Sequence, residues 1–120
     1  MNALARGIVI RGAGLGRKLG VPTANIRVDP RQRLPKGVFK VLVSGRALGR
    51  ERKAVCNVGT RPTVDRGRRR HVEVHIPRFR GDLYGKTLTV KFVLRIREER
   101  KFASLGALKA QIKRDIKEAL

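Results

Sequence analysis

A chain of 120 residues can form one domain with a modest hydrophobic core, and one domain over residues 1–120 is the expectation here. Thirty Lys and Arg against nine Asp and Glu leave a net charge of +21, which favours polyanionic partners: nucleic acid, nucleotide phosphates or acidic membrane surfaces. A single cysteine excludes an internal disulfide, and no apolar run approaches the roughly 20 residues that span a bilayer.

Met1 to Ile10 carries no long apolar segment of the secretory type, so a cytoplasmic location is expected. Gly7-Ile8-Val9-Ile10 reads as a first strand. It leads into Gly12-Ala13-Gly14-Leu15-Gly16-Arg17-Lys18-Leu19-Gly20-Val21-Pro22-Thr23-Ala24-Asn25. Glycines let backbone N–H groups approach an anion closely, because no Cβ intervenes. Arg17 and Lys18 place positive charge where a polyphosphate would lie, and the oxygens of Thr23 and Asn25 are hard ligands suited to Mg²⁺. The stretch reads as a nucleotide site or, more plainly, as a flexible loop with a turn at Val21-Pro22. It is not a Rossmann fingerprint, which would need glycine where Arg17 stands and a helix where Pro22 stands.

Ile26 to Val28 is a brief extended piece, and Asp29-Pro30 and Leu34-Pro35-Lys36-Gly37 mark turns. Val38 to Val43 and Lys53 to Val58 are rich in β-branched residues and read as strands joined by a polar connection. Gly59 to Thr63 is expected to break the second, and Asp65 to Arg70, the most basic spot, to form a solvated hairpin tip. From His71 to Ile76 the pattern alternates: Val72, Val74 and Ile76 share one face, His71, Glu73 and His75 the other.

Gly81-Asp82-Leu83-Tyr84-Gly85-Lys86-Thr87 superficially resembles a P-loop, but its glycines are one residue too close and an alternating strand follows. That strand, Thr87 to Arg97, is the longest, with Leu88, Val90, Phe92, Leu94 and Ile96 expected inside. Ser104 is a candidate N-cap for a terminal helix whose apolar stripe is Leu105, Leu108, Ile112, Ile116 and Leu120. Short strands, turn-rich connections and one helix predict a closed antiparallel barrel with the helix packed on it.

Few acids are available as a general base. Asp115 and Glu118 lie among cations of the helix, and Glu98 and Glu99 lie in a charged stretch. Glu73 stands mid-strand between valines, where it could accept a proton from an alcohol or simply be an exposed strand residue paired with a neighbouring arginine. His71 and His75 are four apart on a strand, about 13 Å along it, and so do not make a zinc pair. Cys56, in an apolar run, reads as an inert core thiol.

These residues resemble a known family. Gly16-Arg17-Lys18-Leu19-Gly20-Val21-Pro22-Thr23-Ala24-Asn25 is similar to the signature of riboflavin kinases. Leu34-Pro35-Lys36-Gly37-Val38-Phe39, Asn57-Val58-Gly59-Thr60-Arg61-Pro62-Thr63 and Val72-Glu73-Val74-His75-Ile76 resemble further blocks in the family's order. So do Asp82-Leu83-Tyr84-Gly85, the run from Ile96-Arg97 through Glu99 to Lys101-Phe102, and the helix with Leu108, Gln111-Ile112 and Asp115. The resemblance implies a six-stranded antiparallel Greek-key barrel with a C-terminal α-helix. It also implies transfer of the γ-phosphoryl of ATP to the 5′-hydroxyl of riboflavin, giving FMN. It assigns Mg²⁺ and nucleotide to Thr23 and Asn25, phosphate contacts to Gly12, Gly14, Gly16 and Arg17, the catalytic base to Glu73, and the flavin side to Arg97 and Phe102. Bacterial relatives usually carry an N-terminal adenylyltransferase domain, so this chain is a stand-alone kinase or a fragment. The family's Asp-Phe after the Glu-x-His strand is Arg78-Phe79 here.

A monomer acting on riboflavin and ATP away from the membrane is the expectation, with a catalytically silent basic small barrel that binds nucleic acid as the alternative. The charge alone predicts weak, non-specific RNA or DNA binding at low salt. Counterion release should make it fall steeply as salt rises in a filter-binding titration. Tight, sequence-selective binding at physiological salt would instead favour the alternative.

Overall fold

The computed structural model describes residues 3–11, 23–62, 68–98 and 102–119. Among these described residues, six strands and one α-helix follow in chain order: β1 Leu4–Ile10, β2 Ala24–Val28, β3 Gly37–Ser44, β4 Arg52–Pro62, β5 Arg68–His75, β6 Thr87–Arg97 and α1 Leu105–Ala119. All neighbouring strands are antiparallel, and they close into a barrel in the order β1-β2-β5-β4-β3-β6. β3, β4 and β5 form a meander, and β5 returns beside β2, which is the Greek-key connection. Among the described strands, closure leaves no free sheet edge to recruit other chains.

Alternation drives the packing. Val9, Ile26, Phe39, Val41, Val43, Ala54, Cys56, Val58, Val72, Val74, Leu88, Val90 and Phe92 all point into the barrel and are buried. Phe39 and Phe92 meet edge-to-face, ring centroids 5.1 Å apart at 81°, a geometry that adds roughly 0.5–1.5 kcal/mol beyond area burial. Burial pushes the Cys56 thiol well above its ordinary value, and the charge of Glu73 adds to the effect. The thiol is therefore neutral and unreactive. Gly7 is required by proximity: a Cβ there would stand 1.9 Å from the Arg27 carbonyl oxygen of the adjoining β2.

Two expectations about strand limits need correction. β4 does not break at Gly59 but runs to Pro62, because Gly59, Thr60, Arg61 and Pro62 each face a partner in β5. Pro62 is tolerated as the last residue of the strand, where a missing N–H costs the ladder least. For the same reason Arg68 to Arg70, expected in a hairpin tip, are strand residues of β5. The intervening tip lies outside the described residues.

The inner face expected for β6 holds only for its first half. Leu88, Val90 and Phe92 are in the core, but Leu94 is 48% exposed. The register against β3 slips twice, between Lys40 and Val41 and between Val38 and Phe39. Each extra residue on β6 reverses which face its neighbours occupy. Leu94 thus turns outward, and the Arg95 guanidinium lies over the Phe39 ring, 5.2 Å from its centroid.

Ser104 caps α1 as expected, its Oγ accepting the Ala107 N–H at 3.1 Å. The helix packs on the outside of the barrel, Ile116 and Ala119 meeting Val38, Val55 and Ile96. Among its described side chains the most buried are Ala119 and Asp115, while Leu108 and Ile112 of the stripe are half-buried. Lys109, Lys113, Arg114 and Lys117 face solvent. The P-loop look-alike is a turn: Tyr84 N–H bonds Asp82 Oδ1 at 2.9 Å, Gly85 sits at φ 79°, and β6 follows.

Candidate active site

Strand registers place one transverse row of residues around the barrel. Ile10 on β1 stands opposite Asn25 on β2, Asn25 opposite Glu73 on β5, and Glu73 opposite Asn57 on β4. The row continues from Asn57 to Val38 on β3 and from Val38 to Arg97 on β6. Asn25, Glu73 and Asn57 belong to the outer face, since their neighbours Ile26, Val72, Val74, Cys56 and Val58 fill the interior. Greek-key pairing therefore brings together two residues singled out from sequence, Asn25 and Glu73, that lie far apart along the chain.

Glu73 is flanked by two side-chain amides about one strand spacing, 4.8 Å, to either side. Asn25 is 8% exposed, and the Oδ1 atoms of both Asn25 and Asn57 are buried without a hydrogen-bond donor. Native folds rarely leave such acceptors unpaired, and each costs about 1–3 kcal/mol in a dry interior. Asparagine is also a poor strand former. Two of them beside a carboxylate form a group of oxygens suited to binding rather than to stability. Thr23 directly precedes β2, two residues before Asn25, and is half-buried.

His71 shares the outer face of β5 with Glu73. Its Nε2 lies 2.8 Å from Glu73 Oε1, with the side chains 21% and 27% exposed. The ring nitrogen makes no aligned hydrogen bond to that oxygen, so the contact is one of proximity. Sequence reading placed both residues on one face but did not anticipate this contact, since the partner it offered as the plainer alternative for Glu73 was an arginine.

At the far end of the row Arg97 grips the helix. Its Nε lies 3.0 Å and 3.2 Å from the two carboxylate oxygens of Asp115, and its Nη2 lies 2.9 Å from Oδ2. Nη1 donates to the Glu98 carbonyl at 3.0 Å, and Gln111 Nε2 donates to Asp115 Oδ1 at 2.9 Å. The Phe102 ring stacks on the same guanidinium, 5.6 Å from centroid to Cζ. Asp115, read from sequence as an ion-pair residue, is one, while Arg97 and Phe102 are brought together at the junction of barrel and helix. Gly12, Gly14, Gly16 and Arg17 lie outside the described residues. Among the described residues no three of His, Cys, Asp and Glu gather as metal ligands.

The described residues form a small closed Greek-key barrel with a carboxylate between two asparagines on its wall and a helix clamped beside it. The family model for riboflavin kinases (Flavokinase) matches residues 2–120, and the chain belongs to this family. It is 47% identical over 111 residues to the bifunctional riboflavin kinase/FMN adenylyltransferase of Pseudomonas fluorescens, covering 92% of this chain and 35% of that protein. It is 40% identical over 110 residues to the RNA-binding riboflavin kinase RibR of Bacillus subtilis, covering 92% of this chain and 46% of the relative. A crystal structure of a macrolide-efflux protein from Streptococcus pneumoniae superimposes with a TM-score of 0.85 at 36% identity, covering 95% of this chain and 37% of that one. The chain spans about a third of the length of the bifunctional relatives.

Proposed function

We propose that this chain transfers the γ-phosphoryl group of ATP to the 5′-hydroxyl of riboflavin, giving FMN. The observation that carries the proposal is the position of Glu73 on a rigid strand between Asn25 and Asn57. Phosphoryl transfer needs alignment and charge neutralisation more than covalent chemistry. Glu73 orients the attacking hydroxyl and takes its proton. Arg17 and the backbone of Gly12, Gly14 and Gly16 are assigned to the phosphates of ATP.

The buried, unpartnered Oδ1 of Asn25 is a hard oxygen donor of the kind Mg²⁺ prefers, and the Thr23 hydroxyl is a second. These two residues would hold the ion, which when bound neutralises phosphate charge. Arg97 and Phe102 are assigned to the flavin side. There Arg97 acts through its hold on Asp115, which fixes the helix beside the acceptor. The reading places the enzyme in the cytoplasm as a monomer; no described helix is long and apolar enough to cross a membrane.

Incubation with riboflavin and Mg-ATP, followed by chromatography, is expected to yield FMN and no FAD. Accumulation of FAD, or unchanged riboflavin, would overturn the proposal. A sizing column run on the same preparation should show one chain per particle.

A further inference from the structure

We propose that Asn57 is a substrate-binding residue whose side-chain oxygen accepts a hydrogen bond from the polyol chain of the acceptor. It thereby holds that chain in line with Glu73. This rests on the riboflavin kinase reading above and assigns the acceptor half of the same site.

Three observations carry it. Asn57 is the cross-strand neighbour of Glu73, on the side away from Asn25. Its Oδ1 is buried and lacks a donor, although the residue as a whole is only half-buried. The broad χ2 well of an amide lets that oxygen turn toward a ligand. Beyond Asn57 the row meets Val38, which the end of α1 covers through Ala119.

In-line transfer places donor and acceptor on opposite sides of the moving phosphoryl group. Asn25 and Thr23 stand on the donor side, so a hydroxyl poised over Glu73 continues its carbon chain toward β4. The ribityl chain of riboflavin carries hydroxyls at successive carbons. A hydroxyl next to the reacting one can therefore donate to Asn57 while the 5′-hydroxyl faces Glu73. The helix end beyond Val38 then limits how far the chain can slide. Two amide acceptors thus frame the carboxylate, one for each substrate.

The test compares the full chain with Asn57→Ala in three measurements. These are steady-state FMN formation, fluorescence quenching of riboflavin on binding, and the same quenching with lumiflavin, which bears a methyl group in place of the ribityl chain. Loss of one such hydrogen bond is expected to weaken riboflavin binding about tenfold. The KM for ATP should stay unchanged, and so should lumiflavin affinity. Asn57→Thr, which suits a strand and restores an oxygen, should recover part of the loss. It also serves as the variant to compare if Asn57→Ala does not fold. Equal riboflavin affinity in wild type and variant overturns the inference, as does a loss confined to ATP or shared equally with lumiflavin. A wild-type chain that makes no FMN would refute the underlying reading instead, and so is distinguishable.

Discussion

Glu73→Gln is expected to lower kcat for FMN formation by about 10²–10⁴-fold, the usual contribution of a positioned general base. Glutamine keeps the size of the side chain and its fit to β5 but can neither carry the charge nor take the proton. The core does not depend on the carboxylate, since Val72 and Val74 fill the interior from the other face of the strand. The charge beside His71 is lost, but both side chains are more than a fifth exposed. Screening of that kind limits the change in stability to about 1 kcal/mol or less. Substrate affinities should move only modestly, because a general base acts chiefly in the transition state. Rates at saturating riboflavin and ATP, measured beside a thermal melt, decide the matter. Unchanged turnover would reduce Glu73 to a strand residue and move the base to Glu98, Glu99 or nowhere.

Asp115→Ala should unfold the chain more easily by about 3–5 kcal/mol, the cost of stranding one partner of a buried ion pair. Asp115 is 2% exposed and receives hydrogen bonds from both Arg97 and Gln111. Removing it leaves a guanidinium whose side chain is only 16% exposed without its counter-ion. The pair's net worth against an apolar substitute is a separate quantity, and smaller. Arg97→Ala removes the same contacts from the other side. The double variant is therefore expected to be less destabilised than the sum of the two singles. Urea denaturation of the three variants measures this. A shift below about 1 kcal/mol for Asp115→Ala would mean that Ile116 and Ala119 hold the helix unaided.

Much of this fold was legible because its strands obey period two. β6 was bounded correctly from Thr87 to Arg97, and the inward positions of β5 followed from Val72 and Val74. The outward turn of Leu94 was not legible. A bulge is decided by pairing with β3, and alternation within β6 carries no trace of it. Likewise Gly59 and Pro62 are local breakers that eight cross-strand partners in β5 overrule. Of the site, Asn25 and Glu73 could be named from motifs, but their adjacency could not, because it depends on a connection between strands remote in sequence. Asn57 escaped notice as a site residue because its significance lies in an unpaired oxygen, which only packing reveals.

That same row has a bearing on how the protein reaches its working state. Asn25, Glu73 and Asn57 come from three strands, and the β2–β5 seam that joins two of them spans the whole β3–β4 hairpin. Seams of this kind pay their loop-closure entropy before any contact repays it, so such topologies fold slowly and with high contact order. On the assignment proposed above, competence for chemistry therefore waits on closure of the β2–β5 seam, and a barrel zipped elsewhere, however rich in strand, lacks the row that would bind.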